Sequence, residues 1–178
     1  MWEKNGKVVF LWEIICIFAK IFIAMVDFIG SYDCTIDSKG RVIVPAPLKR
    51  QLLPFADKKF IVKRSASRPC LEFYVMEEWD KLRVKVNRLN PFVKDNTDFK
   101  RVLFAGIKEV ELDAVGRILL TKDLLAYSGI SKEVTMAASG NIIEVWDKAL
   151  YEKAIAESSL NFSALAEKVM GQVDFSQD

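Results

Sequence analysis

Residues 37–44, Asp-Ser-Lys-Gly-Arg-Val-Ile-Val, and residues 113–120, Asp-Ala-Val-Gly-Arg-Ile-Leu-Leu, are two copies of one short motif. Each copy has Asp in the first position, Gly in the fourth and Arg in the fifth, and an apolar run follows. Asp favours the first position of a tight turn, and Gly in the fourth position can adopt a positive φ. Each copy therefore predicts a strand, a tight turn and a second strand that pairs with the first.

The sequence around the motif is repeated as well. The pattern Phe-x-Gly at residues 28–30 recurs at residues 104–106, and Leu-Glu-Phe-Tyr at 71–74 recurs as Ile-Glu-Val-Trp at 143–146. Such self-similarity at a period of about 75 residues indicates a tandem repeat of one small module.

We assign residues 25–103 to the first repeat and residues 104–178 to the second, which includes a C-terminal helix. A module of this size buries only a limited core, so we expect each repeat to pack against its twin or against other subunits. The remaining elements follow from apolar periodicity and turn residues. The predicted helices are 48–53, 77–89, 121–127, 147–157 and 163–170, and the predicted strands are 32–36, 41–44, 59–63, 71–75, 110–112, 117–120, 132–136 and 141–146.

Composition excludes several classes of function. The chain has 178 residues, of which 51% are hydrophobic and 28% charged, as in a globular protein of one or two small domains. It contains no His, which is the commonest general base and metal ligand. Cys16, Cys34 and Cys70 lie too far apart for a CxxC site and are odd in number. We therefore expect no enzymatic activity, no metal and no cofactor.

The N-terminal segment is almost wholly apolar from residue 8 to residue 25. Glu13 and Lys20 interrupt it, and each would cost about 2.5–3.5 kcal/mol near the centre of a membrane. The segment also lacks a clear cleavage site for a secretory signal. We interpret residues 1–24 as an apolar leader that precedes the native start at Met25, and a membrane anchor is the alternative.

Basic residues are concentrated in the first repeat. Residues 37–68 contain nine basic and two acidic side chains, whereas the equivalent residues 113–144 contain three basic and four acidic ones. A local balance of +7 against −1 favours phosphate binding by the first repeat, although a solvated face would have the same composition. The nine basic residues are Lys39, Arg41, Lys49, Arg50, Lys58, Lys59, Lys63, Arg64 and Arg68.

Taken together, the Phe-x-Gly opening, the two Asp-x-x-Gly-Arg motifs and the Leu-Glu-Phe-Tyr segments resemble the MraZ family of bacterial transcriptional regulators. The resemblance covers residues 26–171. It implies a mixed α+β fold, in which two tandem repeats form an AbrB-like swapped-hairpin β-barrel flanked by α-helices. It also implies a cytoplasmic, nucleoid-associated ring homo-oligomer that binds double-stranded DNA at promoter direct repeats of the division and cell wall gene cluster, as a repressor.

The family contacts DNA through its Asp-x-x-x-Arg loops, which correspond here to Asp37, Lys39 and Arg41, and to Asp113 and Arg117. The second loop departs from the first because Ala-Val at residues 114–115 replaces Ser-Lys, so its contribution to phosphate binding is in question.

The chemistry of the residues agrees with this assignment. Arg at the end of a turn can present a bidentate fork to a guanine edge or a phosphate, while Asp can hold the guanidinium. The predicted DNA-binding residues are Lys39, Arg41, Lys49, Arg50 and Arg117, and the predicted loop-organising residues are Asp37, Gly40, Asp113 and Gly116. In the alternative interpretation, each Asp–Arg pair only stabilises its hairpin.

Two other functions remain as alternatives. An AbrB-like antidote that wraps a toxin through protein–protein contacts has related hairpins, but it usually carries an acidic tail, and after residue 171 only Asp174 and Asp178 are acidic. A membrane-tethered scaffold depends entirely on residues 1–24. A membrane is therefore not an expected partner.

Overall fold

The computed structural model describes residues 26–56 and 59–171. Within them, each repeat has the same order of elements, which is strand, strand, helix, strand, strand, helix, helix. The first repeat contains β1 (Ser31–Thr35), β2 (Arg41–Ile43), α1 (Ala46–Leu52), β3 (Phe60–Arg64), β4 (Leu71–Val75), α2 (Met76–Asn87) and α3 (Lys94–Leu103), with a short 3-10 turn at Leu53–Phe55 after α1. The second contains β5 (Lys108–Val110), β6 (Arg117–Leu119), α4 (Lys122–Ser128), β7 (Glu133–Ser139), β8 (Ile142–Asp147), α5 (Lys148–Ser159) and α6 (Phe162–Met170).

Strands are exchanged between the repeats. Six of them form an antiparallel sheet in the order β1-β7-β8-β4-β3-β5, so that the first strand of each repeat pairs with the third strand of the other. At the centre of the sheet, β4 and β8 pair with Glu72 opposite Glu144. These two glutamates are equivalent in the repeats, so an approximate twofold axis passes between them.

The two strands that follow the motif turns pair with each other. Strands β2 and β6 form a separate antiparallel ladder with Val42 opposite Ile118, again at equivalent positions of the repeats. The prediction that each motif forms a paired hairpin of its own is therefore wrong. Of the strand pairing that was expected within the first repeat, the structure has one bridge, between Ile36 and Val42. Three-residue strands bury little alone, whereas exchange buries both Val42 and Ile118 completely.

The main core lies between the ladder, helices α1 and α4, and one face of the six-stranded sheet. Equivalent leucines of the two helices, Leu48 and Leu124, are fully buried in it, and Phe60 and Phe73 stack with ring centroids 4.9 Å apart. A smaller cluster on the opposite face of the sheet contains Trp79 of α2. Each repeat thus completes its core with side chains of the other.

Other sequence predictions are confirmed in outline. The hairpins β3–β4 and β7–β8 form where they were expected, and so do α1, α2, α4, α5 and α6. Helix α3 was not predicted. Its apolar residues Phe99 and Val102 remain about half exposed. The helix therefore lacks the buried apolar stripe from which a helix is predicted.

The mixed α and β composition and the two repeats expected from the resemblance are present. Within residues 26–56 and 59–171 the strands form an open six-stranded sheet and a two-stranded ladder, and no closed barrel is found. None of the helices in these ranges has the length and apolarity needed to cross a membrane. The apolar leader at residues 1–24, Met25, Cys16, Lys58 and the acidic residues after residue 171 lie outside the described residues.

Candidate nucleic-acid interface

The first motif turn is organised by the side chain of Asp37. Its Oδ1 accepts hydrogen bonds from the backbone N–H groups of Lys39 and Arg41, both at 2.9 Å. Its Oδ2 accepts from Nε of Arg41 at 2.7 Å and lies 2.6 Å from Nη2 of the same residue. The turn is closed by Gly40, whose N–H donates to the Asp37 carbonyl and whose φ is +81°. One carboxylate therefore fixes both the turn and its arginine.

The second turn repeats this geometry. Oδ1 of Asp113 accepts from the backbone N–H groups of Val115 and Arg117 at 2.9 Å, and Oδ2 accepts from Nε of Arg117 at 2.7 Å. Gly116 donates to the Asp113 carbonyl at 2.8 Å and has a φ of +87°. One carboxylate therefore holds the second turn and its arginine, as in the first.

Both carboxylates are held in the ionised form. Hydrogen bonds from the side chain and then from the backbone N–H of Arg41 lower the pKa of Asp37 to about 2. For Asp113 the backbone N–H of Arg117 is the largest cause, followed by its side chain, and the pKa is also lowered to about 2. Each arginine is thus paired at neutral pH, but a guanidinium has five N–H donors and retains some for a ligand.

The ladder places both arginines on one surface. Side chains alternate between the two faces of a strand, and Val42 and Ile118 face the core, so Arg41 and Arg117 point away from it. Arg41 lies opposite Leu119, two residues beyond Arg117, which makes the arginines diagonal neighbours with Cα atoms about 7–8 Å apart. About a third of the Arg41 side chain and a quarter of that of Arg117 are exposed. We call the outward side of β2 and β6 the ladder face.

Lys49 of the first repeat lies beside the turn of the second repeat. Helix α1 packs against the turn of the other repeat, where Lys49 Nζ donates to the Val115 carbonyl at 3.3 Å. The first turn instead has Leu125 of α4 near Gly40, and its own exposed Lys39. Each turn therefore has one lysine, although the second motif has lost its own.

Comparison with known proteins gives the same assignment. A model of the MraZ family, described as "MraZ protein" and antitoxin-like, matches residues 28–102 and again residues 103–173. Over 151 residues the chain is 48% identical to the transcriptional regulator MraZ of Christiangramia forsetii, which covers 85% of this chain and 97% of that protein. Identity to the transcriptional regulator MraZ of Flavobacterium psychrophilum is 49% over 146 residues, or 82% and 93% of the two chains. For that of Cytophaga hutchinsonii it is 40% over 143 residues, or 80% and 94%.

The chain belongs to the MraZ family. The resemblance seen in the motifs is thus confirmed across both repeats. The MraZ relatives are named as transcriptional regulators and not as enzymes, in agreement with the prediction from sequence. Within the described residues, no group of His, Cys, Asp and Glu side chains is arranged to hold a metal ion.

The basic residues of the first repeat do not form one surface in this MraZ chain. Lys63 is 1% exposed and pairs with Glu72 at 2.7 Å, so it is not available to a ligand. Lys59 pairs with Glu109 at 2.8 Å, and the Arg64 guanidinium lies over the Tyr127 ring. The charge count along the sequence therefore overestimated the basic field, because it included side chains that pair within the fold.

The remaining predicted residue, Arg50, is exposed on α1, one residue after Lys49. Sequence reasoning assigned no role to Ile43 and Leu119, which lie on the ladder face with the two arginines. The alternation Arg-x-Ile and Arg-x-Leu within the motif is the signal that could have placed them there.

Proposed function

We propose that the chain is a sequence-specific DNA-binding transcriptional regulator that represses the division and cell wall gene cluster. The main support for the proposal is the ladder face, on which Arg41 and Arg117 lie together and each is held by its own aspartate. The names of the MraZ relatives support a role in transcription. The cluster itself comes from the family resemblance.

The chemistry of the ladder face suits duplex DNA. The major groove admits a two-stranded β-ribbon, and Arg is the commonest side chain to bind the guanine O6 and N7 atoms. Asp37 and Asp113 restrict the rotation of the guanidinium groups, which lowers the entropy lost when they bind. Lys39 beside the first turn, and Lys49 beside the second, would contact phosphates on either side of the groove. Arg50 extends this charge along α1.

We further propose a ring homo-oligomer that binds direct repeats. Apolar side chains on α3, α5 and α6 support association, since Phe99, Val102, Ile155, Leu165 and Val169 are each about half exposed. Several ladder faces in one ring would bind spaced copies of one short sequence and gain affinity by linkage.

We also propose the barrel architecture and the location in the cell that the family resemblance implies. The exchange of strands between repeats supports an AbrB-like swapped-hairpin barrel, with the repeats divided at residues 103 and 104. A regulator of this kind would act in the cytoplasm, associated with the nucleoid.

Selection of bound duplexes from random DNA, at near-physiological salt, tests the proposal directly. We expect a short guanine-containing motif that recurs as a direct repeat, and we expect the double variant Arg41→Ala/Arg117→Ala to select no motif. Recovery of unenriched DNA by the wild-type protein would contradict the proposal and favour the antidote alternative, in which the same turns contact a protein. Salt is fixed because phosphate contacts make DNA affinity strongly dependent on it.

A further inference from the structure

The ladder face carries two large apolar side chains that the fold does not explain. Ile43 is 52% exposed and Leu119 is 53% exposed, whereas their inward neighbours Val42 and Ile118 are completely buried. In an antiparallel ladder with one solvated face, the outward positions are normally polar. Here they alternate between arginine and an aliphatic residue.

The pairing register makes this alternation regular. Arg41 lies opposite Leu119, and Ile43 lies opposite Arg117. Each arginine therefore has an aliphatic side chain of the other repeat directly across the ladder, where paired side chains are about 5 Å apart at Cβ. The two pairs are related by the approximate twofold axis that passes between Val42 and Ile118.

A partner for this surface must bind arginine and aliphatic groups side by side. The major groove of DNA provides both, because guanine O6 and N7 accept hydrogen bonds and the thymine 5-methyl is the apolar group of its floor. The cationic surroundings of the ladder face, with Lys39 and Lys49 at its two turns, complement the phosphates that border the groove.

We propose that Ile43 and Leu119 contact thymine 5-methyl groups next to the bases bound by the two arginines, and so determine sequence specificity. This inference rests on the proposed DNA binding. It assigns apolar readout to residues outside the Asp-x-x-x-Arg loops.

The two residues do not have equal surroundings. Leu119 borders a cavity of about 420 Å³ that is also lined by Glu109 and Glu111. Lys59 and Lys108 line the same cavity, so its charged side chains balance and do not oppose the approach of a phosphate backbone.

Replacement of thymine by deoxyuridine tests the inference, since it removes only the 5-methyl group. The probe is the duplex that the wild-type protein selects from random DNA, with each thymine replaced in turn. We expect about a fourfold loss of affinity at each contacted position, the value for one buried carbon. The Ile43→Ala variant should bind the thymine duplex about fourfold more weakly and show no further loss with deoxyuridine at one position. Leu119→Ala should behave in the same way at another position.

Val84→Ala is the matched control, because Val84 is 52% exposed on α2, away from the ladder. It should leave every deoxyuridine effect unchanged, and all variants should keep wild-type affinity for unrelated DNA. The inference is overturned if deoxyuridine has no effect at any position, or if Ile43→Ala and Leu119→Ala retain the wild-type deoxyuridine losses. Those outcomes leave the proposed function standing as long as the double variant Arg41→Ala/Arg117→Ala still abolishes selective binding, so the two failures are distinguishable.

Discussion

The two motif turns have the same hydrogen bonds but different neighbours. In both, an aspartate accepts hydrogen bonds from two backbone N–H groups and from the Nε of an arginine, and a glycine with positive φ closes the turn. The first turn carries its own lysine and lies against Leu125, whereas the second has Val115 in that position and receives Lys49 from the other repeat. Exchange between repeats thus restores in space a charge that the second motif lacks in sequence.

The largest expected effect comes from the two arginines, which make the same hydrogen bond to their own aspartates. Arg41→Ala and Arg117→Ala should each weaken specific binding about 5- to 150-fold, the value of one bidentate base contact, and the double variant should bind specific and unrelated DNA alike. Titration of the selected duplex beside thermal melting measures this. If the arginines only stabilise the turns, the variants would melt earlier and bind normally once folded.

Substitution of the two glycines should reduce the free energy of unfolding by different amounts in the two turns. A side chain at either position is strained by the positive φ, at about 1–2 kcal/mol. A Cβ on Gly40 would also lie 2.7 Å from the backbone oxygen of Leu120, whereas the three atoms nearest to one on Gly116 all belong to the flexible side chain of Lys49. In urea unfolding, Gly40→Ala should therefore cost about 3 kcal/mol and Gly116→Ala about half as much.

The matched control for the glycine comparison is Lys49→Ala in the Gly116→Ala background. Removal of the flexible side chain should recover part of the lost stability there. Equal losses for the two glycine variants would show that the neighbours of the turns do not differ as the distances indicate.

The smallest expected difference between the two turns is in the titration of their aspartates. Their folded pKa of about 2 lies below the ordinary value of 3.8, so the stabilisation is present above pH 4 and is lost as the pH falls through 2. The side chain of Arg41 is the largest cause for Asp37, whereas the backbone is the largest cause for Asp113. Arg41→Ala should therefore raise the pKa of Asp37 more than Arg117→Ala raises that of Asp113, as measured by NMR of the carboxyl carbons. The reverse order would contradict this assignment of causes.

Much of the fold could be predicted from local sequence. The glycine and aspartate positions predict the turns, and the alternating runs predict the hairpins β3–β4 and β7–β8, because these contacts join neighbouring residues. The pairing of β2 with β6 could not be predicted in this way. Both three-residue strands fit a local hairpin equally well, and only the burial of Val42 and Ile118 between the repeats decides against it.

In the candidate site, too, local features could be predicted from the sequence and contacts between distant residues could not. Arg41 and Arg117 were identifiable because the motif itself carries them. The location of Lys49 beside Val115 depends on a helix that packs across the repeats, and the removal of Lys63 from the basic surface depends on its ion pair with Glu72. Charge counted along a sequence cannot show which side chains pair inside the fold.

Exchange between the repeats supplies the second turn with the cation that its own motif lacks. The most direct test is the salt dependence of DNA binding by Lys49→Ala and by Lys49→Ala/Val115→Lys, with Lys39→Ala and Lys122→Ala as references. We predict that Lys39→Ala and Lys49→Ala each lower the slope of log K against log salt by about 0.9, that Val115→Lys restores it, and that Lys122→Ala leaves it unchanged. An unchanged slope for Lys49→Ala, or a loss that Val115→Lys does not restore, would contradict the claim.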